Sequence, residues 1–355
     1  MWEHSPSRVL APAVRGEFFL EKDMRKTSPL TALLAVLLLI LSACTAAAPP
    51  TEAPTSASEP VAETLPTAEP TEPVEPEPIV LTDALGNTIT LAEPAERIIS
   101  LAASNTELLF AVGAGDTLVG RDSFSDFPEA ALNAPDIGGG FAPLDTETIL
   151  AGEPDLVLAA DITPPEQISE LEGLGLVVFS VPNPLAYQGL YENLRTLGTL
   201  TGHEAEAGAL AEELETRVDL VLDTVAVADN QPIIFYQLDS TDPNAPWTAG
   251  PGNFIDTMIA MAGGSNVGAN LDSAWVQISV EALIVEDPEI ILVGDFTWGG
   301  VTADDVIARP GWDVISAVLN GMVFEFDDNL VSRPGPRLVE GLEQMAALIH
   351  PGLFE

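Results

Sequence analysis

The sequence lacks most of what metal centres and nucleophilic enzymes are built from. Its 355 residues include one cysteine, Cys44, and three histidines, His4, His203 and His350. One cysteine excludes an internal disulfide and any multi-cysteine metal site. Three scattered histidines argue against a His-rich zinc or manganese cage, so no resident metal or intrinsic cofactor is expected. There is no GxSxG elbow and no P-loop. With no cysteine or histidine placed for catalysis, an enzyme is not expected. Lysine is confined to Lys22 and Lys26, and the formal charge is −43. Phosphate binding needs Lys and Arg, so nucleic acid is excluded as a partner. Acidity on this scale fits an unusual medium or solubility alone. Aromatic residues make up 6% of the chain, so each tryptophan carries information.

The N-terminal part has the marks of export. Met24-Arg25-Lys26 precedes LTALLAVLLLIL, Leu30 to Leu41, a positive start followed by a short apolar run. The run is short of the ~20 apolar residues a membrane-spanning helix needs. It ends in Leu41-Ser42-Ala43-Cys44, which resembles a bacterial lipobox. The resemblance implies that Cys44 is lipidated and tethers an extracytoplasmic protein to the cell membrane, since two or more acyl chains anchor stably. Residues upstream of Met24 include Glu17, Glu21 and Asp23 and fit a signal poorly, which makes Met24 a candidate start. Thr45 to Pro78 is Ala, Thr, Pro and Glu without aromatics, too poor in apolar surface to fold. Its prolines favour an extended tether.

Beyond the tether the 46% hydrophobic content suffices for a packed core. One pattern occurs twice. LDTETILAGEPDLVLAAD (Leu144 to Asp161) and ISVEALIVEDPEIILVGD (Ile278 to Asp295) share an acid at the fourth position, Glu147 or Glu281. A proline follows seven residues later, Pro154 or Pro288, then an acid, Asp155 or Glu289, and an aliphatic run. Asp145 or Ser279 can cap a short helix, and the aliphatic run reads as a buried strand. A second pair, SNTELLFAVGAGDTLVG and GNFIDTMIAMAGGSNVG, reads in each copy as a helix ending in a Gly-containing turn. Between the copies, His203 to Val225 is rich in Ala, Leu and Glu, with Leu210, Leu214, Val218, Val221 and Leu222 at helical spacing.

These elements predict an α/β protein: two Rossmann-like lobes with mostly parallel sheets, joined by one long rigid α-helix, with a ligand cleft between them. The expected boundaries are an upstream and signal segment over 1–44, a tether over 45–78, and an N-terminal lobe over 79–202. A linking helix over 203–228 and a C-terminal lobe over 229–355 complete the chain. A monomer is expected. A stiff helix between the lobes predicts a small closure on binding.

In their order, ERIISLAASNTELLFAVGAGDTLVG, the doubled helix-Pro-acid-strand unit, the central helix and AWVQISVEAL resemble the helical-backbone substrate-binding proteins of bacterial ABC importers for metal chelates. The resemblance covers about Arg97 to Phe354. It implies capture of a chelate, a cobalt corrinoid or a ferric siderophore, and delivery to a permease dimer with its ATPase subunits. It implies further that Glu147 and Glu281 dock on permease arginines. Without it, a glutamate in the first turn of a helix is explained by the helix dipole alone. Phe124, Phe141, Trp247, Trp275 and Arg333 match ligand contacts of the vitamin B12-binding members. There Phe124 replaces Tyr, Phe141 replaces Trp and Trp247 replaces Phe. Ala160 takes the place of a further Trp, which leaves the ferric siderophore open. Phe124 and Phe141 equally suit a core, and a surface ion pair is the plain alternative for Arg333 and Arg337. Trp298, in TWGG, suits a cleft rim, and Trp312 suits packing. Haem needs an axial His or Tyr, and no His falls in the matched loops. A structural or adhesive surface lipoprotein would explain anchor and tether but not two matched lobes.

Overall fold

The structure, a computed structural model, describes residues 77–140 and 142–354. The signal segment, Cys44, nearly all of the tether and Phe141 therefore lie outside the described residues.

The described chain begins with a hairpin, β1 (Ile79–Thr82) antiparallel to β2 (Thr88–Leu91). Its turn is held by the Asp83 carboxylate, which accepts from the amides of Leu85 and Asn87 at 3.0 and 2.8 Å. Gly86 supplies the left-handed φ of +84° that the turn requires.

The first lobe then runs β3 (Ile98–Ser100), α1 (Ala103–Ala111), β4 (Leu118–Arg121), α2 (Thr146–Ala151) and β5 (Leu156–Ala160). It continues with α3 (Pro165–Gly173), β6 (Val178–Val181) and α4 (Tyr187–Thr201). Its sheet is parallel, in the order β4-β3-β5-β6. After α5 (Glu204–Val225), the second lobe comprises β7 (Ile233–Gln237), β8 (Trp247–Ala249), α6 (Phe254–Met261), β9 (Ser265–Asn266) and β10 (Trp275–Gln277). Then come α7 (Val280–Glu286), β11 (Ile290–Val293), α8 (Phe296–Gly299), α9 (Ala303–Ile307) and α10 (Ser316–Leu319). β12 (Val323–Glu325), α11 (Asn329–Ser332) and α12 (Leu338–Ile349) close it. The second sheet reads β9-β7-β11-β12, again parallel. Replacing β3, β4, β5 and β6 by β7, β9, β11 and β12 turns one order into the other, so the doubled sequence pattern is a doubled topology. The central strands β5 and β11 are buried along nearly their whole length, as parallel strands covered on both faces must be.

The repeated turn carries a backbone signature. Among the described residues the non-glycine residues with positive φ are Glu153 (45°) and Asp287 (47°), each immediately before the matched proline. A residue before proline is pushed out of the right-handed helical region, and a helix commonly ends on a left-handed residue. The acid after the proline has one job in both copies. Asp155 accepts from the amides of Glu96 and Arg97 at 2.9 and 3.1 Å, leading into β3. Glu289 accepts from the amide of Ile233 at 3.0 Å, at the start of β7.

The linking helix α5 packs on α4 and α12. Its buried stripe is Ala207, Ala211, Leu214, Val218 and Val221. Leu210 is half-buried and Leu222 is exposed, so the stripe is turned toward the two alanines from the one the leucine spacing predicts. The alanines allow close approach: a Cβ on Gly198 of α4 would strike the Cβ of Ala207. The N-terminal end of α5 touches the first lobe, where the His203 ring lies against Gly113. Val225 at the other end lies against Gly263 of the second lobe. A helix of 22 residues spans roughly 33 Å, enough to brace both lobes.

Candidate functional site

A cleft of about 510 Å³ opens between the lobes. From the first lobe it is lined by the start of α1, by Asp122 and Phe124 after β4, by Ala160 at the end of β5 with Asp161 and Ile162 after it, and by Asn183 after β6. From the second lobe come Trp275 of β10, Thr297 and Trp298 of α8, and Asp328, Asn329, Ser332 and Arg333 around α11. The positions after β3, β4, β5 and β6 are the carboxyl ends of parallel strands, where α/β sheets place ligands.

Aromatic faces stand on both walls. Phe124 is 45% exposed, Trp275 49% and Trp298 57%. Large apolar surfaces left this open around one cleft mark a binding site rather than a packing failure. Phe124 is seated on Gly140, where a Cβ would run into its ring. Trp275 sits on the two-stranded ribbon β8–β10, opposite Ala249. Trp247 is opposite Gln277 at the other end of the same ribbon and does not reach the cleft wall. Ala160 does line the cleft, so a small side chain occupies the wall there. Trp312 is buried against Phe235, with the Arg309 guanidinium 4.7 Å above its ring.

Arg333 lines the cleft, but its charge is already engaged across it. Its Nη1 donates to the Asp126 carboxylate of the first lobe and lies 3.7 Å from Glu107 of α1. Burial pushes the Asp126 carboxyl up, but the hydrogen bond and charge of Arg333 outweigh this and hold it below the usual range. Arg337 makes a two-pronged pair with the same Glu107, at 2.9 and 2.6 Å. Its guanidinium lies 4.0 Å from the Phe127 ring. Tyr187 donates to the carbonyl of Leu338 at 2.9 Å and meets the Phe254 ring edge-on. These contacts tie the two lobes directly, in addition to the linking helix. The plain expectation for Arg337, a surface pair, is corrected: its partner carboxylate is 2% exposed.

The acids of the repeat have separate fates. Glu147 and Glu281 hold the same position, second in α2 and α7, after the capping side chains of Asp145 and Ser279. Both are exposed, and neither carboxylate has a hydrogen-bond or ion-pair partner among the described residues. Asp295 is buried and consumed by the second lobe. It accepts from Gln237 at 2.7 Å and from the Ser240 amide and hydroxyl at 2.8 and 2.6 Å. Its counterpart Asp161 faces the cleft, exposed and without a partner among the described residues. Asp122 and Asp328 are the other cleft carboxylates that the sequence reasoning missed, and burial pushes both up. The three tyrosines are buried, and neither described histidine lines the cleft. Among the described residues no group of three or more His, Cys, Asp or Glu is placed to hold a metal ion.

Comparison with known proteins agrees with this architecture. A family model described as a periplasmic binding protein matches residues 98–330. An uncharacterised ABC transporter substrate-binding lipoprotein of Bacillus subtilis is 29% identical over 283 residues, covering 78% of this chain and 87% of the relative. A cobalamin-binding protein of Halobacterium salinarum is 30% identical, covering 77% of this chain and 74% of its own length. A solved structure described as a possible iron-binding, periplasmic solute-binding protein of Staphylococcus epidermidis aligns with a TM-score of 0.64. It is 27% identical and covers 73% of this chain and all of that one.

Proposed function

We propose, from the premise that the chain belongs to the periplasmic binding protein family, that it is the extracytoplasmic receptor of an ABC importer for a metal chelate. A corrinoid of the cobalamin type is the ligand we assign first. The observation that carries the reading is the cleft itself, a space of about 510 Å³ walled on both sides by open aromatic faces. Flat aromatic surfaces give a large ligand much contact area at little entropic cost. Phe124, Trp275 and Trp298 form that surface, and Phe141 follows Gly140, on which Phe124 is seated. Trp247 enters only as support for the ribbon that carries Trp275. Arg333 acts at the rim while it bridges the lobes. Ala160 on the wall favours a second ligand, a ferric siderophore, because it leaves room where the vitamin B12-binding pattern places a ring.

Glu147 and Glu281 are the docking points for the permease dimer. Two equivalent, exposed, unspent acids on topologically equivalent helices suit a partner with two-fold symmetry, and charge complementarity would steer the encounter. Cys44 is the lipid attachment site, and the Pro- and Thr-rich segment after it is the tether.

The deciding experiment is titration of the purified protein with cyanocobalamin, followed by tryptophan fluorescence and calorimetry. One-to-one saturation at micromolar affinity or tighter, weakened at least about tenfold by Trp275→Ala, is expected. Absence of binding, with a ferric trihydroxamate bound instead, would move the assignment to the siderophore.

A further inference from the structure

We infer that the cleft selects chelates by charge: it accepts neutral or cationic complexes whose rim offers N–H or O–H donors, and excludes anionic ones. The inference rests on the chelate-receptor reading and narrows its substrate class.

Three carboxylates, Asp122, Asp161 and Asp328, reach the cleft wall, and among the described residues Arg333 is the cation that does. That cation is compensated within the protein. It is bonded to Asp126 and stands 3.7 Å from Glu107. The neighbouring cations each have a carboxylate partner. Arg337 is bound two-pronged to Glu107, and Arg121 is turned to Asp136 at 3.5 Å. A bound anion would therefore find carboxylates and no uncommitted positive charge along the cleft lining. An overall charge of −43 adds repulsion during approach.

Asp161 gives the selection its sharpest point. In the repeat it corresponds to Asp295, which the second lobe uses up in holding Gln237 and Ser240. Asp161 has no such task. It is exposed at the cleft and has no partner among the described residues, so folding makes no visible use of it. Asp328 lines the cleft while its carboxylate accepts from the Tyr236 hydroxyl at 2.7 Å. Ionised carboxylates only accept hydrogen bonds, so the ligand groups that match them are donors such as primary amides, hydroxyls and ammonium. A corrin ring fringed with carboxamides meets that demand, and so does a hydroxamate chelate bearing an amine.

The test uses two ligand series that differ only in charge. One is cyanocobalamin, the same molecule with one side-chain amide hydrolysed to a carboxylate, and the same molecule with one amide extended by an aminoethyl group. The other is a neutral ferric trihydroxamate with its carboxylated and amine-bearing analogues. Binding to the purified protein is measured by calorimetry at low and high salt. The anionic member of whichever series binds should be at least about tenfold weaker than the neutral one, and salt should narrow the gap. Asp161→Asn should narrow it too, whereas Glu212→Gln, an equal change of charge on the solvent side of α5, should leave it intact. An anionic member that binds as tightly as the neutral one overturns the inference while the receptor reading stands. A gap unchanged by Asp161→Asn overturns the role of Asp161. If no member of either series binds, the receptor reading fails and the charge rule falls with it.

Discussion

Replacing Arg337 by Met tests whether the lobes are held together by a buried ion pair. The Glu107 side chain is 2% exposed and takes both oxygens' bonds from Arg337. Removing one partner of a buried pair leaves an uncompensated charge and costs ~3–5 kcal/mol. Arg333 stays 3.7 Å from the same carboxylate, so the loss should fall at the low end, about 3 kcal/mol. Glu107→Gln leaves a guanidinium that is 17% exposed and can turn to water, and should cost about 1–2 kcal/mol. The double variant should cost no more than about 2 kcal/mol, giving a coupling of about 2–3 kcal/mol. Urea unfolding is the assay, followed by far-ultraviolet dichroism and by tryptophan fluorescence. The two transitions should coincide in the parent protein and separate in Arg337→Met, because the pair joins two lobes that could otherwise unfold apart. A loss under about 0.5 kcal/mol for Arg337→Met, or strict additivity, would refute the argument.

The same interface gives a pH signature. Asp126 titrates below its ordinary value because of Arg333. Its contribution is therefore present above the unfolded carboxylate range and is lost as pH falls through the depressed value. Arg333→Met should remove the corresponding acid-side slope of stability, as measured by melting temperature between pH 5 and 2 in about half-unit steps. At the repeated turns, Glu153→Gly should stabilise by about 0.5–1 kcal/mol by relieving a left-handed φ. Asp287→Gly should gain less or lose stability, because Asp287 also accepts from the Ser316 amide and hydroxyl at 2.7 and 2.9 Å. Glu147→Ala/Glu281→Ala should bind ligand like the parent and fail to support transport in cells dependent on the importer. Normal uptake by that variant would remove both residues from the docking face.

Much of the fold was legible because its signals are local. The Asp145 and Ser279 caps, the prolines after the short helices and the aliphatic runs of β5 and β11 are each readable within a few residues. Their recurrence at one offset identified the two lobes. The α5 stripe was partly misread because leucine spacing alone does not show which neighbours need alanine to come close. Trp298 and Trp312, both in turn-rich sequence, took opposite places, one on the cleft and one in the core.

The sequence by itself determined that there are two matched α/β lobes, where the capped helix and aliphatic strand of each repeat begin, and that acids recur at equivalent points. Periodicity, caps and turn residues act over a few bonds, so they survive without the fold. Only the tertiary structure decided what each acid is for. Glu147 and Glu281 stay open, Asp155 and Glu289 anchor neighbouring strands, Asp295 is buried in a network, and Asp161 faces the cleft. The structure also decided that Trp247 stands away from the cleft wall and that Arg333 and Arg337 of the second lobe meet Asp126 and Glu107 of the first. Those partners are 207 and 230 residues apart in the chain. No local rule connects them, because the pairing arises only when α5 sets one lobe against the other and burial makes an unpaired charge too costly to keep.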